Sequence, residues 1–347
     1  MAWYFPVYNK ARLEEVKGSA TKTERFVTTY TYRTVEDGVK STNQVATMRN
    51  YATAEGLFNQ ILRYEYDKNG NIISYKRGAN EAKYTYDEAG QLIREDNQGL
   101  GKSWTWEYDL GGNILEKKEY AYTTGELGEA QDTIVYGYGN GQWRDELTSY
   151  DGRSITRDGA GNPLSDGEWS YTWQGGRELA GMSKEGTSIT YRYDENGLRT
   201  EKVVNGTTTR YAYTDDRLTH YNQAGQTMYI RYDANGEAIG FRHGGVEYTY
   251  MKNLQGDITG IVEANGDVVV KYNYDAYGRC LVVAGTQADM LGQLNPLRYR
   301  GYVYDSETEL YYLQSRYYDP EMGRFLNADA VTMLMVPNAV HVHQYNL

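Results

Sequence analysis

The carboxylates that recur at one fixed place along this chain are the first residues that could do chemistry. Asp67, Asp87, Asp194, Asp233 and Asp275 each stand three residues before a glycine: Gly70, Gly90, Gly197, Gly236 and Gly278. Oxygen ligands so spaced can begin a calcium loop, and Asp67-Lys68-Asn69-Gly70-Asn71 has that look. The acid that closes a twelve-residue loop would fall at Gly78, which offers no side-chain oxygen. What is left for these aspartates is backbone chemistry: a carboxylate that accepts from N–H groups just downstream and starts a turn. His341 and His343 would share a strand face, and two imidazoles can begin a metal site, but no Cys or carboxylate cluster follows them. Cys280 is the single cysteine, so neither an intrachain disulfide nor a thiolate zinc cluster is available. No G-x-S-x-G, H-E-x-x-H or phosphate-binding glycine loop occurs, and the residues call for no metal and no cofactor.

The elements that carry these aspartates repeat. Tyr64-Glu65-Tyr66-Asp67-Lys68-Asn69-Gly70 leads to Ile72, Tyr84 to Gly90 leads to Leu92, and Trp106 to Gly112 leads to Ile114. Further copies run from Tyr191 to Gly197 and from Tyr272 to Gly278, with a variant from Ile230 to Gly236. Asp67 and Asp87 are 20 residues apart, Asp87 and Asp109 22. That period is too short for a β-α-β unit and suits two strands of about 5–6 residues with two turns. Alternation puts both rings of Y-x-Y on one face. The aspartate then turns the chain, the glycine supplies positive φ, and the aliphatic residue begins the next strand. Only Ala11–Lys17 and Ala288–Gln293 have any helical character. The sequence therefore predicts an all-β fold of stacked antiparallel β-hairpin repeats forming a curved sheet. It divides into a hairpin array over 1–285 and a distinct segment over 286–347.

Composition fits this reading. There are 37 Tyr against 5 Phe and 38 Gly against 5 Pro. Tyrosine favours strands, and its ring packs while its hydroxyl keeps a polar partner. A net charge of −11 argues against nucleic acid as the main partner. No apolar stretch is long enough for a membrane helix, so no membrane insertion is expected. The start, Met1-Ala2-Trp3-Tyr4-Phe5-Pro6, lacks a basic region and a long apolar run, so no signal peptide is expected here.

From Asn295 the text changes to NPLRYRGYVYDSETELYYLQSRYYDPEMGRFLNADA, ending at Ala330. Asp319-Pro320-Glu321-Met322-Gly323 reads as a tight turn, with Tyr311, Tyr312 and Leu313 in one strand and Arg324, Phe325 and Leu326 starting another. Arg316 and Arg324 read as buried partners of carboxylates or carbonyls. The Y-x-Y-D-x-x-G repeats resemble the YD repeats of the Rhs family. Leu297-Arg298-Tyr299-Arg300-Gly301-Tyr302, Arg316-Tyr317-Tyr318-Asp319-Pro320 and Gly323-Arg324-Phe325 resemble its repeat-associated core.

The resemblance implies a spiral of hairpins wound into a hollow β shell, as in the related Tc-toxin and teneurin proteins. It implies that the shell encloses a C-terminal toxin domain of a longer polypeptide, and that secretion machinery delivers it. Location would be secreted or at the cell surface, by a route this chain does not encode. The family cuts its own chain with a pair of aspartates, one acting as base and one as acid. Asp329 occupies the place of the first, but Ala330 follows it where the family has proline, and the second motif falls past Leu347. The expectation is therefore a shell segment that is not an enzyme by itself, with Asp329 a remnant of the self-cleavage site. A second departure is Glu309, which stands where the family has glycine. A different class of function is a surface adhesion or glycan-binding module. It would need Trp104, Trp106, Trp143, Trp169 and Trp173 to gather on one solvent-facing groove.

Overall fold

The structure, a computed structural model, describes residues 15–19, 25–34, 41–52, 58–139, 141 and 143–328. Neighbours in its sheets are neighbours in the chain, in runs of twelve, fourteen and four strands. This is the all-β hairpin stack that the repeat predicts. The chain forms two compact units: Met1–Glu107 with Lys117–Thr133 and Ile230–Gly301, and Tyr108–Glu116 with Ile134–Tyr229 and Tyr302–Leu347. This division by compactness runs differently from the division by motif at 285/286, since residues 286–301 pack with the first unit and 302–328 with the second.

In the first unit the strand Asn59–Tyr66 pairs with Ile72–Arg77 and shows how the repeat works. Tyr64 lies opposite Tyr75 with ring centroids 5.4 Å apart. The Asp67 carboxylate accepts from the N–H groups of Asn69 at 2.9 Å and Asn71 at 2.8 Å, and Gly70 has φ 89°. The carboxylate thus holds the turn at two points, two and four residues on. Asn71 also returns its side-chain amide to Asp67 Oδ2 at 2.8 Å. Asp109 with Asn113 and Asp158 with Asn162, in the second unit, make the same clasp. Around the first hairpin Val45, Met48, Leu62, Tyr64, Tyr66 and Ile72 form a buried cluster.

Each of these strands ends in a β-bulge between the middle residue and the last aromatic of Y-x-Y: Glu65/Tyr66, Thr85/Tyr86, Arg192/Tyr193 and Asn273/Tyr274. A bulge adds twist and re-aims the side chain beside it. The re-aimed tyrosine donates its hydroxyl to the carbonyl of the residue that follows the preceding turn. Tyr86 bonds Ile72 at 3.0 Å and Tyr274 bonds Ile258 at 2.7 Å in the first unit. Tyr138 bonds Ile114 at 2.8 Å and Tyr193 bonds Leu179 at 2.8 Å in the second. At Trp173, which follows a bulge of its own, the indole N–H does the same to Pro163 at 2.6 Å. The first tyrosine of the pair instead packs ring on ring across the strands, as Tyr211 does with Tyr221 at 5.5 Å.

Two helical expectations come out differently. Residues 15–17 lie in the strand Glu15–Ser19, paired with Arg25–Thr34, because ladder bonds outweigh a weak and uncapped helical pattern. A helix forms over Leu291–Leu294, shorter than Ala288–Gln293.

Candidate functional site: the carboxy-terminal segment and its anchors

In the second unit, residues 302–328 fold into four short antiparallel strands: Val303–Asp305, Leu310–Tyr312, Tyr317–Asp319 and Arg324–Phe325. Leu313 and Leu326, expected in strands, fall just outside them. The segment is held by polar side chains that reach the unit's hairpins. At one end Asp305, fully buried, receives both terminal nitrogens of Arg199, also fully buried, and Lys202 Nζ at 2.9 Å. Lys202 also bonds Glu307 at 2.8 Å. The Arg199 guanidinium lies 4.5 Å from the Tyr312 ring centre and 4.6 Å from that of Tyr211, and it donates to the hydroxyls of Tyr211 and Tyr317. Burial alone would raise the Asp305 carboxyl. The charges of Arg199 and Lys202 outweigh it and hold that carboxyl below the usual carboxylate range.

At the other end Asp319 accepts from the N–H groups of Glu321 at 2.8 Å and Met322 at 3.0 Å and shapes the turn through Pro320, where Gly323 has φ 67°. Burial, with the nearby charges of Glu321 and Asp166, pushes the Asp319 carboxyl up to about 7. Arg324 donates to the Tyr138 hydroxyl at 2.7 Å and to the Asp145 carbonyl at 2.8 Å. Arg316 is half-buried and lies over the Phe325 ring at 3.5 Å. Tyr318 is fully buried, edge-on to Phe325 at 5.7 Å. Arg157 donates to the Leu326 carbonyl at 2.8 Å. Glu309 takes the left-handed backbone, φ 59°, that suits glycine better.

In the first unit, Asn295–Gly301 packs on the hairpins by similar means. Tyr250 donates to Asn295 Oδ1 at 2.6 Å, and Arg300 N–H to Asp257 at 2.9 Å. Tyr299 lies against the turn at Gly278. There φ is 90° and a Cβ would stand 2.5 Å from the ring, so only glycine fits. Beside this turn is a cavity of about 100 Å³ walled by tyrosines.

The turn residues Asp67, Asp87, Asp194, Asp233 and Asp275 all accept backbone N–H groups at their own turns, and their glycines all have positive φ. Each serves its own turn. Asp329, His341 and His343 lie outside the described residues. Among the described residues no group of three or more His, Cys, Asp or Glu side chains is placed to hold a metal ion. No helix among them is long and apolar enough to cross a membrane. Sequence reasoning missed Arg199 and Lys202, the partners of Asp305. Strict alternation from Arg199 would put Lys202 on the opposite face, so a period of two conceals the pair.

A family model described as the teneurin YD-shell matches residues 8–347. The chain belongs to the teneurin YD-shell family. Among curated relatives of this YD-shell segment, the tRNA3(Ser)-specific nuclease WapA of Bacillus spizizenii is 34% identical over 70% of this chain and 10% of its own length. Teneurin-m of Drosophila melanogaster is 22% identical over 86% of this chain and 10% of its own. Toxin subunit YenC1 of Yersinia entomophaga is 25% identical over 78% and 34%. The chain thus spans about a tenth of WapA and of teneurin-m, and about a third of YenC1. The crystal structure of TcdB2-TccC3-TEV superposes with a TM-score of 0.68 at 20% identity, covering 96% of this chain and 18% of that one, and shares the fold. The Rhs resemblance read from the repeats and the core segment therefore holds at the level of family and fold.

Proposed function

We propose that this chain is a structural segment of the YD-repeat shell of a bacterial polymorphic toxin, enclosing a toxin domain of a longer polypeptide and helping to deliver it outside the cell. The observation that carries the reading is the way residues 302–328 are fastened. Charged and hydroxyl side chains from the hairpins bond that segment at both ends, through Asp305 and through Arg324. A wall that already holds a stretch of its own chain on its face is suited to hold more. The family match and the toxin-related relatives support the same reading. The role is containment, and no catalytic step is assigned to this chain.

The test is limited proteolysis of the natural gene product that contains these residues. A segment downstream of Leu347 should resist trypsin while the shell is folded and become cleavable once it is unfolded. A downstream segment cut as fast as the same segment expressed alone, or a product with no such segment, would defeat the enclosing role. The adhesion reading is not favoured, because Trp104, Trp106 and Trp169 are buried in their own units and cannot present rings to a sugar.

A further inference from the structure

The cavity in the first unit has a lining unlike that of an idle packing defect. Its walls include the rings of Tyr75, Tyr84, Tyr86 and Tyr274, and its rim reaches the exposed Asn80. A volume of about 100 Å³ holds roughly seven to ten water-sized groups. Genuinely empty cavities are apolar, yet four polar atoms buried in this lining have no hydrogen-bond partner: the Tyr75 hydroxyl, Gln255 Oε1, Asn273 Oδ1 and Asp275 Oδ2. Gln255 Oε1 and Asn273 Oδ1 can only accept, and Asp275 Oδ2 does the same when its carboxyl is ionised.

The free oxygen of Asp275 has a specific origin. In the turns at Asp67, Asp109 and Asp158 the fifth residue is asparagine, whose amide occupies Oδ2. At Asp275 the fifth residue is Arg279, whose backbone N–H bonds Oδ1 at 2.9 Å and leaves Oδ2 unbonded in the cavity wall. The side chain is 1% exposed, and an ion-pair neighbour, Lys117, stands at 3.9 Å. Glu81, paired with Lys76 at 3.3 Å, and Asp257, which accepts from Arg300 N–H and the Asn253 amide, also line it, while Arg77 points its donors at the carbonyls of Thr259 and Tyr272.

Unpaired acceptors and electron-rich ring faces together define one kind of guest, a compact organic cation that brings donors and no acceptors. We propose that this cavity is a binding site for an ammonium or guanidinium group, either on a small free amine or at the end of a lysine or arginine side chain of a polypeptide. A sugar fits less well, because its hydroxyls bring acceptors that the lining's free atoms, with one hydroxyl among them, cannot answer.

The test is calorimetric titration of the full chain with n-propylguanidine, with the neutral isostere N-propylurea, and with the blocked tripeptide Gly-Arg-Gly. Propylguanidine should bind with a Kd at or below about 1 mM and propylurea at least about ten-fold more weakly. Tripeptide binding comparable to that of propylguanidine identifies a polypeptide side chain as the guest. Propylguanidine binding without it identifies a free cation. Asp275→Asn should weaken binding at least about ten-fold, and it keeps the turn, because Asn253 already makes the same turn with its side-chain oxygen on Asp257 N–H at 2.9 Å. Tyr75→Phe, which removes only the unpaired hydroxyl, should weaken binding less. Equal binding of propylurea, unchanged binding by a folded Asp275→Asn, or no heat with either cation would each overturn the assignment.

Discussion

In the second unit the hairpins meet residues 302–328 of the same chain, and Arg199 and Lys202 find a counter-charge in Asp305. In the first unit the same repeat borders a cavity in which Asp275 keeps an unbonded oxygen and Tyr75 an unbonded hydroxyl. The turns and bulges are alike in both. The contents differ because the contents are set by residues the repeat leaves free: a basic pair after one turn, an arginine where another turn has asparagine. A YD repeat therefore specifies a wall and is neutral about what the wall faces.

The sharpest way to break this comparison is to remove the counter-charge from the filled side. Asp305→Ala leaves Arg199 and Lys202 buried without their carboxylate and should cost about 3–5 kcal/mol in urea unfolding, or abolish soluble expression. Asp275→Asn on the cavity side, measured alongside, should cost under about 1 kcal/mol. Equal losses would mean that the two interiors are not different in kind.

Next comes pH. The Asp319 carboxyl sits near 7 when folded and near the ordinary value of about 4 when unfolded. Between those values the folded state holds more protons, so this group makes stability fall as pH rises through the window. Burial pushes Glu95 in the first unit up to about 8, with Asp275 adding to the rise, so it acts in the same direction. Asp319→Asn isolates the second unit's share. The difference between variant and parent should grow in the variant's favour from about pH 5 to about pH 8. A constant difference would show that Asp319 titrates normally.

Two smaller effects sharpen the division of labour within Y-x-Y. Tyr86→Phe loses its bond to Ile72 and should cost about 1 kcal/mol, whereas Tyr75→Phe, whose hydroxyl has no partner, should cost nothing or stabilise slightly. Glu309→Gly should stabilise by about 0.5–1 kcal/mol, since relief of the left-handed backbone exceeds the added chain entropy. A destabilised Glu309→Gly would mean that the glutamate side chain has a role beyond its turn.

Much of the wall was legible in the sequence because its rules are local. Tyr64 and Tyr66 are two apart, so a strand buries both, and Asp67 and Gly70 are three apart, so the chain turns between them. The bulge between Glu65 and Tyr66 was not legible, because it inserts a register shift without altering the residue pattern. The acceptor of the Tyr86 hydroxyl is a main-chain carbonyl, and a carbonyl has no letter in the sequence. Nothing in the sequence marks Asp305 until Arg199, 106 positions earlier, is placed beside it. The surplus of tyrosine over phenylalanine was the one compositional trace of these hydroxyl bonds. It showed that hydroxyls were needed without showing where.

Those hydroxyl bonds also have a direction. Tyr66 reaches Val45, Tyr86 reaches Ile72, Tyr138 reaches Ile114, Tyr193 reaches Leu179 and Tyr274 reaches Ile258. In every case the donor comes later in the chain than its acceptor. When the polypeptide leaves the ribosome, each acceptor is already in place before its tyrosine emerges. The wall can be riveted in the order of translation, every new turn fastening the one made before it, while the long ties, such as Arg199 to Asp305 and Tyr138 to Arg324, close last.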